Sequence, residues 1–405
     1  MILHRDTTVP VVAVSVLYHV GSKNETAGRS GFAHFFEHLM FEGSQNIKRK
    51  DFEKYVTNAG GTYNANTTQD RTFYYEVFPA NEWKMGLWLE SERMMHAKID
   101  TIGVNTQREV VKEEMRMRYD NQPYGTFMLN AFRLAFKGTP YEMTPIGTMD
   151  DINKAKLGEF MDFYKLCYVP NNAVLSIAGD INTDSTEKMI RAYFGPIPRG
   201  TRPIPRPGVT ATPFAHTVKD TVYDNIQLPG VFEMYRMPKE GSPDYYAAKV
   251  LSAIMSGGPS SRMNKELKDK KQLALEVVSF PLFLEKAGLF INLGICNSGV
   301  NPDTLQAGID AIVHELKTSL VSAEEYQKVM NQIETQFIGS YSTMMGIAES
   351  LANYEVYFGD ANLINTELAR YRKVTREDIR AVADKYLVPD NEVVLYYLPK
   401  SQKQK

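Results

Sequence analysis

Val12, Val14, Val16, Tyr18 and Val20 occupy alternate positions, the period-two pattern of a strand that turns one face to a core. After Gly28-Arg29-Ser30 the pattern changes. Residues 31–41 are aromatic-rich and predict a helix with Ser30 as its N-cap. Residues 51–58 also read as helix, and Gly60-Gly61 opens a long strand-like run over 62–78, rich in Thr and Tyr. Helices are expected at 83–95, 105–119 and 150–166. Further on, 226–237 reads as a strand, and Ser242-Pro243-Asp244 starts a helix with Ser as cap and Pro at the first helical position. Strands follow at 275–283 and 288–296, then a long helical tract over 302–386. Strands and helices mix without regular βαβ alternation, which predicts α+β layers.

Six of the twenty prolines fall within residues 195–213. Such density continues neither a helix nor an inner strand, so 196–220 reads as a linker between domains at 1–195 and 221–405. The two halves also repeat one another. Tyr168-Val169-Pro170-Asn171-Asn172-Ala173-Val174 follows a helical stretch and leads into an apolar run. Leu387-Val388-Pro389-Asp390-Asn391-Glu392-Val393 does the same. The expectation is an α+β fold of two similar domains, duplicated, each with a mostly antiparallel sheet and packed helices.

A length of 405 residues agrees with two domains, and 43% hydrophobic with 23% charged residues excludes wholesale disorder. Lys+Arg total 46 against 48 Asp+Glu, so nothing favours a nucleic-acid partner. Two distant cysteines, Cys167 and Cys296, make neither a disulfide framework nor a thiolate metal site. No apolar run approaches the roughly 18 residues of a membrane span. The chain enters Val9–Val20 almost at once, as if an upstream segment had been removed. A soluble protein is expected, periplasmic if a signal has been cleaved and otherwise cytoplasmic.

The sharpest chemical signal is His34-Phe35-Phe36-Glu37-His38. Histidines four apart project from one face of a helix and can grip one ion, and neutral imidazoles suit zinc. Glu37, between them, can accept a proton from a water and return it to a leaving amine. The H-x-x-E-H order is the inverted zincin signature, and in an apolar setting two unpartnered rings would be costly. The third ligand must come from elsewhere. Glu109, Glu113 and Glu114 lie together on the 105–119 helix, where Thr106-x-x-Glu109 fits a capping box. Adjacent Glu113 and Glu114 point about 100° apart, so only one can face a given site, and the spacing does not choose.

His34-Phe35-Phe36-Glu37-His38, with Glu114 76 positions later in Arg108-Glu109-Val110-Val111-Lys112-Glu113-Glu114, resembles the insulinase/pitrilysin metallopeptidases. The likeness is closest to the half-length branch that includes the mitochondrial processing peptidase. Gly60-Gly61-Thr62-Tyr63-Asn64-Ala65 and Tyr164 through Asp180 fit the same pattern. The resemblance implies one Zn2+ per chain held by His34, His38 and Glu114, with Glu37 as general base. It implies Asn64 and Ala65 as a strand edge offered to substrate, and two chains, or one double-length chain, closing around an unfolded peptide.

One departure bears on partners. Ser256 through Leu275 resembles a segment in which active relatives place an Arg and, seven residues later, a Tyr; this chain has Lys268 and Leu275. Leucine donates no hydrogen bond to an oxyanion, and lysine lacks the planar fork. A homologous second subunit supplying Arg and Tyr is therefore expected, with a homodimer as the alternative. The expected function is zinc-dependent endopeptidase action on short or unfolded polypeptides. The alternatives are a non-catalytic peptide-binding or core subunit, and a metal hydrolase of non-peptide substrates. Met115, Met117, Met128, Phe127, Phe132 and Phe136 are expected to fill core, and Tyr124 to pack in a turn rather than brace the site.

Overall fold

The computed structural model describes residues 1–403, which divide into two compact units. Each unit is built on one five-stranded sheet. In the first, strands β1 (Ile2–Arg5), β2 (Val11–Tyr18), β3 (Thr62–Thr67), β4 (Thr72–Pro79) and β5 (Ala173–Gly179) lie in the order β1-β5-β2-β4-β3. In the second, β6 (Val218–Asp224), β7 (Gly230–Met237), β8 (Ala274–Phe283), β9 (Gly288–Cys296) and β10 (Glu392–Pro399) lie in the order β6-β10-β7-β9-β8. The two orders are the same when strands are matched in sequence. Each sheet is antiparallel except for one outer pair, β1 with β5 and β6 with β10. The repeated Pro-Asn turns occupy equivalent places: Pro170–Asn172 delivers β5 and Pro389–Asn391 delivers β10. The fold is thus α+β and duplicated.

The units are not contiguous halves. Of the described residues, the first comprises 1–115, 143–207 and 338–366; the second comprises 116–142, 208–337 and 367–403. A division falls within the Pro-rich segment, but each half also lends a helix to the other unit. Met344–Phe358 packs through Met344, Ile347, Ala348 and Leu351 on Ala13 and Ala178 of the first sheet. Phe127–Ala135 packs through Ala131, Phe132 and Ala135 on Phe232, Met234, Val393 and Leu395 of the second.

This exchange explains why β2 is buried on both faces. Val14 meets Gly86 of the Lys84–His96 helix, where a Cβ would come within 3.0 Å of the valine side chain. Ala13 and Leu17 face the Met344–Phe358 helix, which no alternation near residue 12 announces.

Several elements differ from their sequence-based expectations. The 62–78 run breaks at Thr68–Arg71 into the β3–β4 hairpin. The 150–166 helix breaks into Met149–Lys154 and Leu157–Cys167, and the 302–386 tract comprises five helices. The 105–119 helix begins at Thr101, where Asp100 caps it by accepting from the Gly103 amide at 2.8 Å. Thr106 is therefore interior, and Glu109 pairs with Lys112 instead of closing a capping box. Met117 is 58% exposed and fills no core, whereas Met115, Phe132 and Phe136 are buried.

Candidate metal and catalytic site

The site belongs to the first unit and starts from the Phe32–Leu39 helix. Phe32, Ala33, Phe35, Phe36 and Leu39 are buried, which leaves His34, Glu37 and His38 on the remaining face. The buried aromatic face stacks on the Leu157–Cys167 helix, with Phe32 over Phe160 at 4.7 Å and Phe36 over Phe163 at 4.9 Å between centroids. These contacts fix the rotation of the helix about its axis, and with it the direction of both imidazoles.

Both helix ends are held. At the N-terminus Gly31 adopts φ +90°, and a Cβ there would come within 2.9 Å of the Ile146 carbonyl. The cap is Glu25, whose carboxylate accepts from the amides of Gly31 (2.9 Å) and Ala33 (2.8 Å). Burial pushes this carboxyl up to about 8 against the opposing pull of those amides. Ser30, the expected cap, is taken by Asp151, to which both its hydroxyl and its amide donate. At the C-terminus Arg93 Nε donates to the Met40 carbonyl at 3.4 Å. The Arg93 guanidinium is buried among the rings of Phe41, Phe52 and Tyr74 and pairs with Glu76 and Glu90.

The Thr101–Met115 helix brings the third group. Glu114 Oε2 lies 3.5 Å from His34 Nε2 and 3.1 Å from His38 Nε2. One donor atom from each residue falls within 4.8 Å of the others. Donors held about 2.0–2.1 Å from a tetrahedral zinc lie roughly 3.3 Å apart, so this donor set fits that ion in type and spacing. Glu113, the adjacent carboxylate, is exposed and does not join the group.

Glu37 accepts a short hydrogen bond from the Thr67 hydroxyl. Thr67 ends β3, the edge strand that also carries Asn64 and Ala65 and that, among the described residues, pairs only with β4. Arg71 braces this strand, donating to Asn66 of β3 and to Asn353 and Glu349 of the Met344–Phe358 helix. The Ala65 amide is already engaged, because it donates to Asn64 Oδ1 at 2.9 Å. Reasoning from the sequence missed Glu25, Arg93 and Thr67. Thr67 was the most accessible of these, three positions after Asn64 on the strand read as the substrate edge.

In the second unit, Lys268 Nζ pairs with Glu276 at 3.0 Å and Leu275 is 57% exposed on β8. Tyr124 belongs to that unit as well; its hydroxyl donates to the Leu228 carbonyl at 2.7 Å and its amide to Asp224.

The same chain matches two family descriptions. Residues 1–144 match insulinase (peptidase family M16), and residues 154–333 match the peptidase M16 inactive domain. A Helicobacter pylori protein named zinc protease PqqE is 30% identical over 391 residues, covering 96% of this chain and 88% of that one. A crystal structure of a protease from Helicobacter pylori superposes with a TM-score of 0.93 at 29% identity, covering 98% of this chain and 97% of the other. A peptidase M16 inactive domain from Pseudomonas fluorescens shares the fold, with a TM-score of 0.85 at 16% identity over 98% of this chain and 94% of the other. Among the described residues no helix is long and apolar enough to cross a membrane.

Proposed function

The chain belongs to the insulinase (M16) peptidase family, and from that membership and the site's geometry we propose that it is a zinc-dependent endopeptidase of short or unfolded polypeptides. The observation that carries this reading is the convergence of His34 Nε2, His38 Nε2 and Glu114 Oε2, with Glu37 on the same helix face. These three residues would hold one zinc per chain, which when bound supplies a Lewis acid to polarise a carbonyl and acidify a water.

Glu37 is the general base in this reading. Its carboxylate, oriented by the Thr67 hydroxyl, takes a proton from water and returns it to the departing amine. β3 binds substrate as an added strand, so main-chain hydrogen bonds give affinity and an extended, unfolded segment is what fits. A peptide using the Ala65 amide must first displace Asn64 Oδ1, which makes Asn64 a gate on that position.

The working enzyme includes a homologous second subunit. Lys268 and Leu275 support this, since neither supplies the planar donor fork or the phenol hydroxyl that would stabilise an oxyanion. A homodimer is the competing arrangement. The experiment is an assay on an unfolded polypeptide such as reduced casein, using the chain alone and the complex purified from its source, each with and without chelator. Cleavage by the complex that stops on chelation and returns with zinc is expected. Cleavage that survives complete metal removal overturns the reading, and full turnover by the single chain removes the heterodimer.

A further inference from the structure

The second sheet carries a polar row where a core would be expected. The registers place Lys219 (β6), Val394 (β10), Glu233 (β7), Asn292 (β9) and Ser279 (β8) side by side across all five strands. Glu392, two residues before Val394, lies diagonally beside Glu233 on the same face, and the Pro302–Thr318 helix sets Asp310 against them. One oxygen from each of Glu233, Asp310 and Glu392 falls within 4.8 Å of the others.

Three acids in one place prove little by themselves. What singles this group out is Glu233, which is 0% exposed and, among the described residues, closes no hydrogen bond of normal geometry on either carboxylate oxygen, although the Asn292 amide lies near enough to favour its charged form. The Asn292 amide is its nearest polar counterweight. That amide accepts from the Ser279 hydroxyl at 2.8 Å, and its buried Nδ2 reaches toward Glu233 without closing a hydrogen bond of normal geometry among the described residues. Burying a carboxylate without a partner costs several kcal/mol, so something must neutralise it. Lys219 acts on Glu233 and Asp310 through space. Glu392, by contrast, is already oriented, accepting from the hydroxyls of Tyr235 and Thr217 at 2.8 Å each. Such outer hydrogen bonds are how proteins aim carboxylates at an ion.

We propose that Glu233, Asp310 and Glu392 form a second cation site, separate from the histidine site and specific for a hard divalent ion of the Ca2+, Mn2+ or Mg2+ kind. All three donors are carboxylate oxygens and none is nitrogen or sulfur, which selects such ions over zinc. A 2+ ion together with Lys219 balances the three negative charges. Glu233 and Glu392 are buried while Asp310 is exposed, so the ion enters from the Asp310 side. Once bound it ties β7 and β10 to the Pro302–Thr318 helix, a structural role in the unit that lacks H-x-x-E-H.

The test is equilibrium dialysis of Mn2+ against the full chain carrying His34→Ala and His38→Ala, which silences the other site and keeps the two readings distinguishable. One bound Mn2+ per chain is expected, displaced by excess Ca2+ or Mg2+ and accompanied by a rise in Tm. Adding Asp310→Asn, at an exposed position that leaves the fold intact, should weaken binding about tenfold or more. Adding Glu233→Gln should abolish it. Absence of bound Mn2+, or binding unchanged by Asp310→Asn, overturns the proposal. So does Glu233→Gln raising Tm with no cation effect in the parent chain, since a proton would then be the neutralising partner.

Discussion

The Thr67 hydroxyl donates to the Glu37 carboxylate, joining the last residue of the edge strand to the acidic residue between the two histidines. The hydrogen bond limits the rotamers of Glu37 and ties the proposed base to the strand on which substrate would lie. Thr67→Val keeps the shape and removes the donor. Peptide cleavage should fall about 10–100-fold with zinc content unchanged, read by steady-state kinetics beside metal analysis. A rate equal to that of the parent would show that Glu37 needs no such support.

Glu113 and Glu114 are neighbours in sequence, but only Glu114 reaches the imidazoles. Glu114→Gln should lower zinc occupancy sharply at limiting metal, while Glu113→Gln leaves it intact. Equal losses in the two variants would assign the third ligand elsewhere.

Much of this was legible in the sequence. The histidines needed only their spacing, because a helix places positions four apart on one face whatever surrounds it. The duplication showed in the repeated Val-Pro-Asn turns because each must deliver a strand to the same place in its sheet. What stayed hidden was non-local. Nothing near residue 127 indicates that Phe127 stacks on Phe232, and nothing near residue 344 indicates that Ala348 shares a core cluster with Ala13. β1 was missed because four residues are too short to show a period, and its pairing with β5 is remote. Glu25 was missed as a cap because it reaches the helix from six residues upstream of Gly31 instead of from the N-cap position.

Glu25 gives the first unit a pH dependence of definite sign. Its folded value is about 8 against an ordinary 4.5. Below 4.5 the group is protonated in folded and unfolded chains alike, and its contribution is complete. Between 4.5 and 8 only the folded chain keeps the proton, so stability declines by up to about 1.4 kcal/mol per pH unit. Above 8 the contribution is gone. Thermal unfolding of the parent should therefore weaken from pH 5 to 8 more steeply than that of Glu25→Gln. Parallel slopes would place the proton elsewhere.

Arg93 is the cation beneath the histidine helix. Removing it leaves Glu76 and Glu90 buried without their partner, and burial already pushes the Glu76 carboxyl above the usual range despite the guanidinium. Arg93→Met should cost about 3–5 kcal/mol, read as a lower urea midpoint. Adding Glu76→Gln and Glu90→Gln should recover part of that loss, because the uncompensated charges are then gone. No recovery would mean that the rings of Phe41, Phe52 and Tyr74 depend on the guanidinium itself.

Glu37→Gln in the assembled enzyme is the most direct measurement of the central claim, because it alters one oxygen of the proposed base and none of the donors that converge on the ion site. Zinc per chain and casein cleavage should be measured on the same preparation. The account predicts unchanged zinc with cleavage reduced to background. Cleavage at the parent rate, with zinc retained, would contradict it.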